Sequence, residues 1–201
     1  MSVACRPLSD EEVGRVVESF SGRYALRDKA MFIVGIRTGY RISELLSLRI
    51  RDVLRPDGEI MDSVTVARRN VKGKTRGRTV PLHPEAKEAL REWLEEARGM
   101  IQLAPDIPVF FSQKRNGQIR PLDRRTAWHI LKQAYARAGI LGRGVGALGT
   151  HSLRKTFASK LYDKYRDLIL VQYALGHSKT ENTIRYLNIR EEAVARAILA
   201  L

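Results

Sequence analysis

Apolar positions along this chain fall first at helical spacing, then in alternation, then at helical spacing again. Ser9 followed by Glu12 is a capping-box signature, and Val13, Val16, Val17 and Phe20 recur at intervals of three and four behind it. The spacing predicts a first helix whose outer side carries Asp10, Glu11, Glu12 and Glu18. A second helix is predicted from about Ala25 to Thr38. It is apolar over most of its circumference, hence buried, and Gly39 ends it. Arg41 then falls at a helix-to-helix turn, ahead of a short helix containing Glu44 and Leu45.

From Glu59 to Leu82 the period changes. Val64 and Val66 alternate with polar residues, and Thr79-Val80-Pro81 follows a turn rich in Gly, Lys and Arg, which predicts a small antiparallel sheet. Helices return after Pro84, with one apolar stripe through Ala86, Ala89, Leu90, Trp93, Leu94 and Ala97. A second stripe runs through Ala127, Ile130, Leu131, Ala134, Tyr135 and Ala138. Between them, Val109-Phe110-Phe111 fits either a strand or a buried loop. Five glycines from Gly139 to Gly149 make that stretch a loop. No internal repeat, low-complexity tract or interdomain linker interrupts the pattern. The expected fold class is α+β, mainly helical, as a single domain over residues 1–201 with a small antiparallel β-sheet.

Composition narrows the function more than the fold. Hydrophobic residues at 44% and charged residues at 29% describe an ordinary globular chain of 201 residues. The formal charge of +14, from 36 basic and 22 acidic residues, calls for a polyanionic partner, and nucleic acid is the first candidate. The charge is uneven: Lys114 to Arg143 holds eight basic residues against Asp123 alone. Arg124 and Arg125 sit within that stretch. Any one such cluster is more often a solvated helix face, so charge alone does not define a site. Cys5 is the only cysteine, which excludes an intrachain disulfide and a cysteine-rich zinc site. The first residues, MSVACRPLSDEEV, lack the charged head and apolar core of a secretory signal, and the apolar stretch Ala30–Ile36 is too short to span a bilayer. A prokaryotic cytoplasm is the expected compartment. With aromatics at 7% and no interleaved aromatic-basic platform, an RNA-binding module fits poorly.

The chemistry is carried by a sparse polar string: His151 and Arg154, then Leu175-Gly176-His177, then Tyr186 nine residues on. His151 and Arg154, three apart, share a face at a helix start. A tyrosine hydroxyl beside two histidines and an arginine supplies a nucleophile, groups that move or hold protons, and a bidentate phosphate clamp. Taken singly, each has a blander meaning: His-x-x-Arg usually marks a surface helix, a histidine after Leu-Gly a helix cap, and a lone tyrosine a half-buried aromatic. A second phosphate clamp, Arg41, is available upstream in TGYRISELLSL.

Together, TGYRISELLSL from Thr38, THSLRKTFA from Thr150, Leu175-Gly176-His177 and the spacing to Tyr186 resemble the catalytic domain of the tyrosine recombinases, also called the phage integrase family. The resemblance covers about Thr38 to Tyr186. It implies that Tyr186 attacks a DNA phosphorus to give a 3′-phosphotyrosyl enzyme and a free 5′-hydroxyl. Arg41 and Arg154 then neutralise the non-bridging oxygens. His151 accepts the tyrosine proton, His177 hydrogen-bonds the phosphate, and Glu44 supports Arg41 without acting as an acid. The family's lysine, which protonates the leaving 5′ oxygen, falls in the hairpin VKGKTRGRTVPL. Lys74, two residues before an Arg76-Gly77 turn, is the preferred candidate, and a different register selects Lys72. The spare lysine, Arg76, Arg78, Arg124 and Arg125 are read as DNA contacts.

The scheme needs no metal, cofactor or small-molecule substrate. The partners it implies are double-stranded DNA and further copies of the chain, a synaptic tetramer in the family, with no membrane. One departure is large: about thirty-seven residues precede the first box, so no core-binding domain is expected ahead of the catalytic one, as in a catalytic fragment or a short member similar to the fimbrial phase-variation invertases. Beyond Tyr186, residues Glu191 to Leu201 predict an amphipathic helix that packs either on its own core or on a neighbouring protomer. A type IB topoisomerase, with a similar residue set, and a non-catalytic DNA-binding regulator are the alternatives.

Overall fold

A computed structural model describes residues 5–66, 77–114, 116–140, 147–187 and 199. Among them the chain forms α1 (Asp10–Ser19), α2 (Ala25–Thr38), the single turns α3 (Ile42–Leu45) and α4 (Ile50–Val53), and strands β1 (Ser63–Val66) and β2 (Arg78–Pro81). Then come α5 (Pro84–Met100), β3 (Phe111–Gln113), β4 (Ile119–Pro121), α6 (Arg124–Arg137), α7 (Thr150–Tyr165), α8 (Leu168–Leu175) and α9 (Thr180–Leu187). The architecture is mainly helical α+β, as the periodicity predicts.

Helix α2 is the axis of the domain. Every residue from Ala30 to Ile36 is buried, and the helix packs against α5 on one side and α7 on the other. The approach to α7 is close because position 35 has no side chain: a Cβ there would stand 2.7 Å from Leu153 Cδ1. At α5, Pro84 occupies the first turn, where its missing N–H costs nothing, and Trp93 is buried with its indole N–H donating to Val109 O at 2.7 Å.

The β1–β2 pair is antiparallel, with Val64 opposite Val80 and Val66 opposite Arg78. Val64 and Val66 face the core while Ser63 and Thr65 face solvent, the alternation seen in the sequence. The run Val109-Phe110-Phe111 resolves into both expected alternatives. Val109 and Phe110 are buried before the strand, and Phe111 opens β3. Its partner β4 escapes sequence reading because three residues ending in proline give no alternation to detect.

Apolar burial is divided. The main core gathers α1 to α6 and the start of α7, whereas Ala158, Val171 and Leu175 form a separate small core with Phe157, Leu161, Tyr162 and Leu187 around it. Helices α8 and α9 belong to this second cluster. The helix expected over 191–201 lies outside the described residues, 199 apart.

Candidate active site

Four side chains converge on a cleft of about 270 Å³, lined by Arg41, Ile42, Ser43, Arg124, Thr150, His151 and Arg154. Among the described residues this lining has no carboxylate. Arg41 comes from the turn before α3, Arg124 from α6, and His151 and Arg154 from the start of α7, and the sequence shows how.

Arg41 follows Gly39, the αL residue that ends α2, and precedes α3. Glu44 reaches back from the third residue of α3: one carboxylate oxygen accepts from the Arg41 backbone N–H at 2.8 Å and the other from Arg41 Nη1 at 2.8 Å. The glutamate side chain is 3% exposed and the arginine 34%, so the acid is spent on orienting a guanidinium that remains open to the cleft.

Arg154 lies in the first half of α7 and is 1% exposed. Its Nη1 donates to Gly39 O, its Nη2 donates to Leu175 O at 2.7 Å, and the same Nη2 lies 3.1 Å from His177 Nε2. Because arginine can only donate, Nε2 of His177 is the acceptor, and its Nδ1 faces the Thr183 hydroxyl at 3.0 Å. The ring is therefore neutral, with its proton on Nδ1. The family resemblance implies a hydrogen bond from His177 to phosphate; in this arrangement Nε2 faces Arg154 and Nδ1 faces Thr183.

His151 sits one residue into α7, with its outer edge exposed at the cleft rim. Burial of its inner face lowers its pKa, and the positive charges of Arg154, Arg124, Arg41 and Lys155 lower it further. The positive end of α7 acts in the same sense. A neutral imidazole suits a proton acceptor.

Arg124 and Arg125 open α6 behind an Asp123 cap, and both are exposed. They also border a neighbouring cavity of about 410 Å³ with Ile42, Trp128 and Thr150. Sequence reading missed Trp128, which is 37% exposed with Lys132 Nζ 4.8 Å from its ring. Its signal was present: it lies four residues after Arg124, off the apolar stripe of α6. Thr183, equally unforeseen, has no signature beyond its distance from His177.

Tyr186 is in the last turn of α9, which packs on α7 and α8, and its side chain lies outside the described structure. Lys72, Lys74 and Arg76 also lie outside the described residues. Arg78 is described, and it points inward: Nη2 donates to Thr38 O at 2.7 Å, Nη1 to Ala174 O at 2.9 Å, and the guanidinium stacks 4.4 Å from the Tyr40 ring centre. Among the described residues no three His, Cys, Asp or Glu side chains are grouped to hold a metal ion, and no helix is long and apolar enough to cross a membrane.

This fold and this cleft define a known class. Residues 7–193 match the model of the phage integrase family, and the chain belongs to that family. It is 36% identical over 168 residues to the tyrosine recombinase XerD of Yersinia pestis, covering 83% of this chain and 51% of that protein. It is 29% identical to the tyrosine recombinase XerA of Pyrococcus furiosus over 200 residues, 96% of this chain and 62% of that one. Among solved structures, the XerH site-specific recombinase bound to palindromic difH substrate in a post-cleavage complex superposes with a TM-score of 0.70 at 28% identity, over 96% of this chain and 52% of that one. The XerA recombinase superposes at 0.74 with 25% identity, over 100% and 65%. The chain thus spans about half the length of the XerD relative and under two thirds of the others.

Proposed function

We propose that this chain is the catalytic domain of a site-specific DNA recombinase that cleaves and rejoins strands through a 3′-phosphotyrosyl intermediate. The observation that carries the reading is the cleft itself, where Arg41, Arg124 and Arg154 surround His151 on the fold of the family.

Tyr186 is the nucleophile, its hydroxyl proton passing to His151 as the O–P bond forms. Arg41, held by Glu44, and Arg154, held by two carbonyls and His177, carry the charge that grows on the non-bridging oxygens. The bond to the 5′ oxygen breaks as Lys74 protonates it, with Lys72 as the other candidate. Reversal by a 5′-hydroxyl from a second duplex completes strand exchange. Double-stranded DNA is the substrate, several copies of the chain meet on it, and the cytoplasm is where both are found. Arg124, Arg125 and the exposed Trp128 extend the DNA surface beyond the scissile phosphate.

A pool of nicked suicide duplexes with randomised arms tests the reading. The nick lets the 5′-hydroxyl fragment diffuse away, so covalent protein–DNA adducts accumulate and can be sequenced. Adducts are expected from the wild-type chain and absent from Tyr186→Phe. Equal adduct from both would assign the nucleophile elsewhere.

A further inference from the structure

The C-terminal ends of α2 and α8 face each other, and two arginines span the gap as parallel rungs. In α8 the turn at Gly176 satisfies two terminal carbonyls by itself: Gly176 N–H donates to Tyr173 O at 2.8 Å and His177 N–H to Gln172 O at 3.0 Å. The two that remain, Ala174 O and Leu175 O, are taken by Arg78 and Arg154 respectively. On α2 the same two side chains take Thr38 O and Gly39 O. Each guanidinium thus bridges one carbonyl of α2's end to one of α8's, between two helix termini of like partial negative charge. Arg154 belongs to the cleft. Arg78 does not line it, and nothing in the cleavage scheme uses it.

We propose that Arg78 is a positioning residue for the cleavage step, acting through the Arg41 and His177 turns instead of touching DNA. The proposal rests on the recombinase reading of the cleft. Thr38 lies three residues before Arg41 and Ala174 three before His177, so both bonds fix the approach to a reacting group. The backbone of Arg78 is held as well: the Tyr40 hydroxyl lies 3.0 Å from Arg78 O and donates to Val64 O at 2.7 Å, while its ring carries the guanidinium. Arg78 also opens β2, at the strand end that follows the segment bearing Lys72 and Lys74. One residue therefore ties the Arg41 turn, the His177 turn and the root of the lysine segment together. A lysine cannot replace it, since one ammonium lacks the planar fork that reaches two carbonyls at once.

The test uses the whole chain as wild type, Arg78→Lys and Arg78→Met. Single-turnover adduct formation is read on a nicked duplex captured by the wild-type protein, and affinity for a mixed-sequence duplex is read across a salt series. The expected result is adduct formation slower by about 10- to 100-fold in both variants, the scale of a small misplacement of reacting groups. Affinity and the salt slope should stay at their wild-type values. In a His177→Ala background the effect of Arg78→Lys should shrink, because the two share one arrangement. A salt slope lowered by about 0.9 would make Arg78 a phosphate contact and overturn the proposal. Unchanged adduct rates, or full additivity with His177→Ala, would overturn it too. Should either variant fail to fold, the Arg78 Nε–H resonance of the ¹⁵N-labelled wild-type protein decides: it should hold its position when the mixed-sequence duplex is added, and a shift as large as that of Arg124 counts against the proposal. No adduct from the wild-type chain on any duplex overturns the recombinase reading, and this inference with it.

Discussion

Arg154 Nη2 lies 3.1 Å from His177 Nε2, and the far nitrogen of that ring rests 3.0 Å from Thr183 Oγ1. The donor on Arg154 makes Nε2 the acceptor, and the buried Thr183 hydroxyl then accepts from the far nitrogen of the ring. Thr183→Val keeps the shape and removes the acceptor. The expected cost is about 1–3 kcal/mol of stability, from a partly buried N–H left unsatisfied, together with slower adduct formation. Thr183→Ser should match the wild type in both. Urea denaturation and single-turnover cleavage check the pair, and a fully active Thr183→Val would remove Thr183 from the site.

The neutral state of His151 predicts a pH profile. Burial and then four cationic neighbours lower its pKa below the ordinary 6.5, so the base is unprotonated at neutral pH. Cleavage should be fully developed above that lowered value and lost as pH falls through it. Arg124→Ala removes one of the neighbouring charges and should move the acidic limb upward. His151→Gln should erase the limb and lower the plateau by about 10²–10⁴-fold, the usual contribution of a proton acceptor. A wild-type midpoint above 6.5 would contradict the assignment.

Gly39 is held to glycine twice over. Its φ is +60°, and a Cβ would stand 2.4 Å from Phe157 Cδ1. Gly39→Ala should cost more than the ~1–2 kcal/mol of the left-handed backbone alone, since the ring must also move. Gly22→Ala is the control: its φ is +89°, with nothing within 4 Å of the added carbon, so only the backbone cost applies. Gly39→Ala should also slow cleavage, because Gly39 O holds Arg154. Denaturation midpoints and adduct rates measure the two effects separately.

The two hairpin lysines separate by chemistry. Lys74→Ala should slow cleavage of a normal phosphodiester by about 10²–10⁴-fold and recover on a substrate whose 5′ bridging oxygen is sulfur, because a thiolate leaves without a proton. Lys72→Ala should weaken binding modestly and show no such rescue. Rescue of the Lys72 variant instead would reverse the register of the hairpin.

Much of this was legible in the sequence, for reasons that differ by element. Helix α2 runs from Ala25 to Thr38 as its apolar circumference and terminal glycine require, and the α5 stripe is buried where the period puts it; the α6 stripe is buried at Ala127, Leu131, Ala134 and Tyr135 and half-buried at Ile130 and Ala138. Arg41, His151 and Arg154 are found around one cleft because their boxes match a family whose fold brings the two segments together. What local pattern cannot carry is the destination of a long side chain. Arg78, at the end of a basic hairpin, reads as a solvent-facing cation bound for phosphate. Its partners, Thr38 O and Ala174 O, are 40 and 96 residues away and contribute only backbone, which leaves no mark in the sequence. Thr183 is silent because its partner, the His177 ring six residues back, is reached across the turn between α8 and α9 at a spacing no motif marks, and β4 is too short for any period.

The division of the apolar interior sets an order of events. Arg41, His151 and Arg154 are rooted in the main core or at its edge. Helices α8 and α9, which flank His177, with Tyr186 in the last turn of α9, close over the small cluster of Ala158, Val171 and Leu175 and its half-buried neighbours among the described residues. An opening confined to the small cluster exposes far less apolar surface than global unfolding, so it costs less free energy and happens more often. Amide protons of α9 should therefore exchange with solvent well before those of α2. Such an opening takes Leu175 O and His177 away from Arg154 while Gly39 O still holds it, so the proposed nucleophile and one side of the proposed phosphate clamp come and go together.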